Sequence, residues 1–195
     1  MAHQQHPGIA REGWPFIAVT VVGGLLAWFL NPEWVVLFAV LAFAFMIKFR
    51  DPERDFDSEP LGVVSPVDGI VELVEKGERV RIRIRLPIFG CYSARAPVEG
   101  KVSDHPKLAN GSPRGLHLLT DEGDEVTLVL NTAPSFARPR AMLGYGARVG
   151  QGQRCAWLRL ARIAEIYLPA GSRVLVEPGR RVLAGSELIA TLVHD

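Results

Sequence analysis

The sequence predicts a mainly β domain that follows an N-terminal apolar helical hairpin. Two uncharged apolar runs lie within the first 50 residues, and a turn signal separates them. From residue 51 onward the chain changes to short valine-rich segments separated by glycine-containing turns. The length of 195 residues is enough for one folded domain plus such a hairpin. Together these observations predict a β sandwich or barrel behind a hydrophobic anchor.

Composition and charge narrow the classes of partner. The net charge is +1, so no overall positive field favours nucleic acid. Cys91 and Cys155 lie far apart and match no zinc-ligand spacing, so no metal site is expected. Nothing in their spacing indicates a disulfide, and a reducing compartment is therefore the expectation.

The two apolar runs predict a helical hairpin in a membrane. They cover residues 16–30 and 34–47, and Asn31-Pro32-Glu33 between them is a turn signal. Each run makes a helix of roughly 21–23 Å, which is short for a bilayer core of about 30 Å. The hairpin therefore either crosses a thinned bilayer or dips into one leaflet. A cleaved signal peptide and a buried soluble hairpin are the alternatives.

The charges that flank the hairpin predict its orientation. Arg11 precedes it and Lys48, Arg50 and Arg54 follow it, so the positive-inside rule places both ends on the cytoplasmic side. We therefore expect a protein of the inner (cytoplasmic) membrane with its β domain in the cytoplasm. The expected organisation is a tail over 1–13, the hairpin over 14–49, a linker over 50–61 and the β domain over 62–195.

Short strands are expected throughout the β domain. Turn dipeptides such as Asp68-Gly69 and Pro178-Gly179 separate them, and 134–143 has room for one or two helical turns. The predicted strands are Gly62–Val64, 70–74, 80–86, Gly115–Leu119, 126–131, 156–160, 164–168, 174–176 and 187–193.

The last predicted hairpin has the strand–turn–strand pattern of lipoyl/biotinyl-type folds. It runs from Val174 through Gly179 to Leu188, and a weaker copy of the pattern begins at Pro66. No lysine occupies the later turn, so this segment is not an attachment site for lipoate or biotin. The pattern favours a β domain related to the lipoyl/biotinyl-type hybrid fold.

Five phrases in order resemble the phosphatidylserine decarboxylase family, in its short bacterial and archaeal branch. The likeness extends from about residue 14 to the end of the chain. The phrases are FRDPER at 49–54, VSPVDG at 64–69, RAPVEG at 95–100, GQR with YLP at 152–154 and 167–169, and VLAG at 182–185.

The resemblance implies a self-made cofactor. In that family a Gly-Ser bond rearranges, the chain splits, and a pyruvoyl group forms that acts as an electron sink for decarboxylation. An Asp–His pair is implied as the activator of the serine. In this chain the aspartate is Asp68, but Tyr92 stands at the histidine position and Arg162 at the serine position. No pyruvoyl group can form at Arg162, so no cofactor is expected.

Other residues are weak substitutes for the missing serine and histidine. Ser172 and Ser186 each follow a glycine but lie in predicted turns, after the segment that the processing pair would occupy. Cys155 lies in an apolar strand, and packing is its expected role. Tyr92 is a poor base at neutral pH. His105 and His117 lie outside the matching phrases, where surface or capping roles are expected.

The sequence therefore predicts a membrane-anchored relative of these enzymes that is catalytically inactive, a pseudoenzyme. It would bind an anionic membrane phospholipid, a membrane protein partner or a second copy of itself in a homo-oligomer. Arg50, Arg54 and Arg162 are the candidate phosphate contacts, although Arg162 is equally compatible with a strand residue that points into water. Two alternatives stay open: a working phospholipid decarboxylase that uses non-standard residues, and a structural subunit of a membrane complex.

Overall fold

A computed structural model describes residues 8–52, 54, 58–103, 115–131 and 138–193. Contacts divide the chain into two compact units. The first contains the chain up to Glu53 together with Phe89–Tyr92, and the second contains Arg54–Ile88 and the chain from Ser93 onward. Each unit is described by itself below.

The first unit is built on two antiparallel helices. After a short 3-10 turn at Arg11–Gly13, helix α1 spans Trp14–Leu30 and helix α2 spans Glu33–Lys48. Pro15 fits the first turn of α1, where a backbone donor has no partner inside the helix. The predicted Asn-Pro turn separates the helices.

Close packing holds the two helices together. The rings of Phe16 and Phe45 lie with centroids 5.7 Å apart, so the start of α1 contacts the end of α2. Gly23 permits the approach further along, because a Cβ at this position would lie 2.6 Å from the ring of Phe38. Most of the remaining apolar side chains are exposed, and Phe29 is 85% exposed. Among the described residues, one helical stretch, Arg11–Leu30, is long and apolar enough to cross a membrane by length and composition.

The second unit is a β domain, as the sequence predicts. Its strands are β1 Gly62–Val64, β2 Gly69–Glu75, β3 Arg79–Arg85, β4 Ser93–Arg95, β5 Gly100–Ser103, β6 Gly115–Leu119, β7 Glu125–Asn131, β8 Arg140–Ala141, β9 Arg148–Val149, β10 Arg154–Trp157, β11 Ile163–Pro169, β12 Arg173–Val174, β13 Arg181–Val182 and β14 Leu188–Thr191. The mainly β class is thereby confirmed.

Three antiparallel sheets surround one core. The largest has the strand order β13-β2-β3-β11-β7-β6-β5-β9, and the two smaller sheets have the orders β1-β14-β12 and β4-β10-β8. Strand β11 lies near the middle of the largest sheet, where it pairs with β3 on one side and with β7 on the other. The central strands therefore join segments that are far apart in sequence.

In β3, apolar residues alternate with arginines, and the structure places them on opposite faces of the strand, as expected for a strand with one buried face. Val80, Ile82 and Ile84 are fully buried, whereas the arginines between them are partly or well exposed. Ile82 pairs in register with Ile166 of β11, which is also fully buried. One face of this strand thus forms the core and the other carries ion pairs, as expected for a half-buried strand.

Two predicted elements differ from the structure. The strand expected over 156–160 ends at Trp157, because the residues that follow turn back, with a hydrogen bond from Ala161 N–H to the Leu158 carbonyl oxygen (2.8 Å). Arg159 in this turn has φ +53°, which a strand cannot accommodate. The helical turns expected over 134–143 fall partly outside the described residues, and the described part contains β8, which pairs with β10. The relation to lipoyl-type folds stays a prediction.

Candidate functional site

Four of the segments singled out in the sequence, 64–69, 95–100, 152–154 and 182–185, lie side by side in the β domain. Backbone hydrogen bonds join 64–69 to 95–97, 95–97 to 152–153, and 65 to 185. The bonds are Val64 N–H to Pro97 O (2.9 Å), Arg95 N–H to Pro66 O (2.8 Å), Ala96 N–H to Gln153 O (2.7 Å), Gly152 N–H to Ala96 O (2.9 Å) and Gly185 N–H to Ser65 O (2.7 Å). Segments separated by up to 120 residues thus form one structural cluster.

Asp68 lies in the tight connection between β1 and β2 within this cluster. The Ser65 hydroxyl donates to the Val67 carbonyl oxygen (2.7 Å), which stabilises the bend before Asp68. Gly69 follows because the backbone of β3 approaches closely: a Cβ at this position would lie 2.3 Å from the Arg85 carbonyl oxygen. The bend therefore holds the Asp68 side chain in one direction.

The carboxylate of Asp68 has specific protein partners. Nη1 and Nη2 of Arg54 donate to its two oxygens over 2.6 and 3.0 Å, which is a fork-to-fork ion pair. The backbone N–H of Ala184 donates to Oδ1 (2.8 Å), and Arg54 Nη1 also donates to the Ala184 carbonyl oxygen (2.9 Å). Both side chains are largely buried, at 15% and 11% exposure. Asp68, Arg54 and Ala184 form a three-part contact that we call the Arg54 clasp.

Arg162, at the position where the resemblance implies a serine, lies directly before β11. Its side chain is exposed, and Ala161 before it is buried. Its backbone N–H donates to the Asn131 carbonyl oxygen (3.2 Å), and its carbonyl oxygen accepts from Leu86 N–H (2.8 Å). The amide nitrogen of the 161–162 peptide is thus held by the neighbouring strand, and the side chain that follows has no hydroxyl.

Tyr92, at the position implied for histidine, belongs to the unit that contains the helical hairpin. It is 5% exposed, and its ring centroid lies 4.7 Å from that of Phe49. Its hydroxyl donates to Oε2 of Glu12 (2.8 Å), and its backbone N–H donates to the Arg50 carbonyl oxygen (3.0 Å). Tyr92 therefore fastens its loop to the charged end of the hairpin, a contact that the sequence does not reveal.

The three candidate phosphate-binding arginines differ in their surroundings. The side chains of Arg50 and Arg162 are exposed. Arg54, by contrast, uses its guanidinium in the clasp with Asp68. The structure therefore brings together Arg54 and Asp68, for which the sequence predicts the separate roles of phosphate contact and catalysis.

The alternative nucleophiles lack the surroundings that activation requires. Ser172 is 6% exposed, and its hydroxyl has no hydrogen-bond partner among the described residues, so no base contacts it there. Cys155 is fully buried, and desolvation raises the pKa of its thiol from about 9 to about 12. Nδ1 of His117 lies 3.0 Å from the Thr127 hydroxyl. His105 lies outside the described residues.

The β domain contains a cavity that the sequence does not predict. It has a volume of about 270 Å³ and is lined by Glu59, Glu99, Asp121 and Glu122 among others. These carboxylates come from three connecting segments that are separate in the sequence, so no pattern within one segment predicts that they lie together. Among the described residues, no three or more His, Cys, Asp or Glu side chains lie together in an arrangement that could hold a metal ion.

Comparison with solved structures first defines the class of fold. The chain is similar to the glucose permease IIA from Mycoplasma capricolum, with a TM-score of 0.51 and 17% identity, over 67% of this chain and 94% of the other. At this identity the likeness concerns the fold alone.

Comparison with curated proteins then identifies the family. The chain is 32% identical to the phosphatidylserine decarboxylase proenzyme of Aromatoleum aromaticum, over 96% of this chain and 97% of that protein. It is 35% identical to the protein of the same name from Symbiobacterium thermophilum, over 98% and 99%, and 33% identical to that of Burkholderia ambifaria, over 96% and 97%. No protein-family model matches. The chain belongs to the phosphatidylserine decarboxylase family, as its five phrases predict.

Proposed function

We propose that this protein is a membrane-anchored member of the family that is not processed, does not decarboxylate, and binds an anionic phospholipid. The main support for this proposal is the identity of the residues at positions 161 and 162. Ala161 and Arg162 stand where a Gly-Ser pair would have to rearrange, and Arg162 has no oxygen that can attack the backbone. The residues present do not fit a serine-derived pyruvoyl group.

The surroundings of the other two positions support the same proposal. Asp68 shares its carboxylate with Arg54 and the Ala184 N–H. The Tyr92 hydroxyl donates to Glu12, an arrangement that fits a structural contact better than a general base. Asp68 and Tyr92 therefore both make side-chain contacts that serve folding.

For the phospholipid we assign the contacts to Arg50 and Arg162. Both have exposed guanidinium groups, which bind phosphate through two parallel hydrogen bonds. We leave Arg54 out, because the clasp already occupies its guanidinium. The alternative binding partners of an anchored protein of this kind are a membrane protein and a second copy of the chain.

The hairpin supports a place in the cytoplasmic membrane. Its exposed apolar surface and the helical stretch Arg11–Leu30 suit a lipid environment. The helices are antiparallel, so both ends of the hairpin emerge together, where Arg11, Lys48 and Arg50 are found. By the positive-inside rule we infer that these ends, and the β domain with them, face the cytoplasm.

The experiment that tests the absence of processing is an intact-mass measurement on the full chain purified from membranes. We expect a single species of 21.4 kDa that borohydride does not change, because no described nucleophile stands at the cleavage position. The proenzyme from Burkholderia ambifaria, prepared in parallel, serves as the comparison. Two fragments carrying a reducible ketone would contradict the proposal.

A working decarboxylase is the second candidate function, because the similar curated proteins carry that name. Release of labelled CO2 from phosphatidylserine labelled in its serine carboxyl group tests it. Ser172→Ala, Ser186→Ala and Cys155→Ala would show which residue, if any, replaces the missing serine. Release above background that one of these substitutions abolishes would establish the second candidate and eliminate the first.

A further inference from the structure

The loop that precedes Tyr92 carries an unexpected apolar side chain. Phe89 is 62% exposed, and its neighbour Ile88 is 55% exposed. Gly90 separates Phe89 from the buried pair Cys91 and Tyr92. The loop therefore has one buried end and one end that presents a phenyl ring to the surroundings.

The buried end is attached to the hairpin. Tyr92 contacts it through a backbone bond to Arg50 (3.0 Å), through its ring against Phe49 (4.7 Å) and through its hydroxyl to Glu12 (2.8 Å). The Cys91 thiol adds a bond to Oδ1 of Asp51 (3.1 Å). All these contacts are made with residues that directly precede α1 or directly follow α2.

The attachment limits where Phe89 can be. Phe89 and Tyr92 are three positions apart in the chain, so their two Cα atoms lie within about 11 Å of each other. Tyr92 itself contacts the hairpin end that carries Arg11, Lys48 and Arg50. If the hairpin is in a bilayer, this charged end lies among the headgroups, and the headgroup layer on each side is about 5–8 Å thick. Phe89 is thus held within reach of this layer, where aromatic rings favour the interface.

We propose that Phe89 inserts into the interface of the leaflet that holds the charged end of the hairpin. The 89–92 loop is then a second lipid contact, beside the two helices. The inference rests on the proposed membrane anchoring, because the depth of Phe89 follows from that of the hairpin. The lipid is favoured over a protein partner because the loop belongs to the same compact unit as the exposed apolar helices.

Spin labels on the full chain in liposomes of phosphatidylcholine and phosphatidylglycerol test the proposal. Single cysteines are introduced as Phe89→Cys, Phe29→Cys and Glu78→Cys in a Cys91→Ser background, in which a hydroxyl can replace the thiol donor to Asp51. Cys155 is fully buried with a pKa of about 12, so it does not take up the label. The readout is the ratio of collision rates with oxygen, which concentrates in lipid, and with a water-soluble nickel chelate.

The three sites have different expected results. Phe29, at the hairpin turn, should report lipid, and Glu78, exposed in the connection between β2 and β3, should report water. A ratio at position 89 that is severalfold higher than at position 78 supports the proposal. Equal ratios at 89 and 78, with lipid at 29, overturn it and leave the anchoring intact. Water at position 29 overturns the anchoring and the inference together.

A protein occupant has its own signature. If a partner or a second copy covered Phe89, the label there would collide slowly with both oxygen and the nickel chelate, and the lipid proposal would be overturned. A second variant tests the proposal independently in case the Phe89→Cys protein does not fold. Phe89→Trp keeps an aromatic ring, and brominated lipids should quench its fluorescence beyond that of the parent chain; unchanged quenching would overturn the proposal.

Discussion

At the scale of single residues, position 68 shows how a retained residue can take a structural role. The resemblance implies catalysis for Asp68, yet the structure surrounds its carboxylate with Arg54 and the Ala184 N–H. The clasp ties residue 54 and residue 184 to the bend before β2. An ion pair of this kind stabilises the fold chiefly because either charge would be left buried without the other.

The clasp makes a quantitative prediction. Arg54→Ala should destabilise the protein by about 2–4 kcal/mol, since it leaves a largely buried carboxylate without its cation. This corresponds to a Tm lowered by roughly 5–15 °C for a chain of this size. Thermal unfolding of the full chain in detergent, followed by circular dichroism, measures the shift.

Arg148 supplies the matched control. It pairs with Asp121, but both side chains are more than 60% exposed, and exposed pairs contribute less than about 1 kcal/mol. Arg148→Ala should therefore leave the Tm almost unchanged. Equal shifts for Arg54→Ala and Arg148→Ala would show that the clasp has no special structural role.

At the scale of elements, strand β11 carries most of the connection between distant segments. It pairs with β3 over seven residues and with β7 over five. Its outward face adds a polar cluster: Glu165, 7% exposed, accepts from Arg83 (2.8 Å) and from the Tyr167 hydroxyl (3.1 Å). Burial and the neighbouring Glu165 carboxylate raise the pKa of Tyr167, so its hydroxyl stays a donor well above neutral pH.

The inner face of β11 should dominate the stability of the β domain. Ile166→Ala removes a fully buried side chain from the core, and such a change costs about 2–5 kcal/mol. Ile70→Ala in β2 removes the same atoms from a side chain that is 50% exposed and should cost much less. Thermal unfolding compares the two variants. A larger loss for Ile70→Ala would contradict the central place assigned to β11.

The elements also show the limits of local pattern. Alternation predicted β3, and the Pro178-Gly179 turn separated the strands predicted over 174–176 and 187–193, where the structure has β12 and β14. The same signals placed a strand over 156–160, because Ala-Trp-Leu-Arg-Leu is compatible with extended structure. The chain instead turns at Arg159, with φ +53°. Local propensity could not reveal this, because Arg162 after the turn is held by backbone hydrogen bonds to Asn131 and Leu86, which are distant in the sequence.

At the scale of the whole molecule, the proposed function predicts a preference for anionic lipid. Arg162→Glu and Arg50→Glu should each weaken the preference of the full chain for phosphatidylserine over phosphatidylcholine by about fivefold, as expected for roughly 1 kcal/mol per basic residue near a charged surface. The affinities are measured by titrating the detergent-solubilised protein with mixed micelles of each lipid.

Arg148→Glu again serves as the control, because it reverses another exposed charge, on β9. It should leave the preference unchanged. If all three variants lose the same amount, binding depends on overall charge alone. If neither Arg50→Glu nor Arg162→Glu has an effect, the phosphate contacts are elsewhere.

The sequence by itself determined the mainly β class, the two helices and the family. Periodicity, turn residues and family phrases are properties of short segments, so they can be recognised in the sequence without knowing which distant residues contact each other. The sequence also shows that residue 162 is an arginine and therefore has no hydroxyl group.

Only the tertiary structure decided which distant residues meet. Arg54 and Asp68, expected in lipid binding and catalysis, form one ion pair, and Tyr92 is joined to Glu12, 80 residues earlier. The physical reason is that such contacts depend on the path of the backbone between them, and no pattern within a single segment encodes that path.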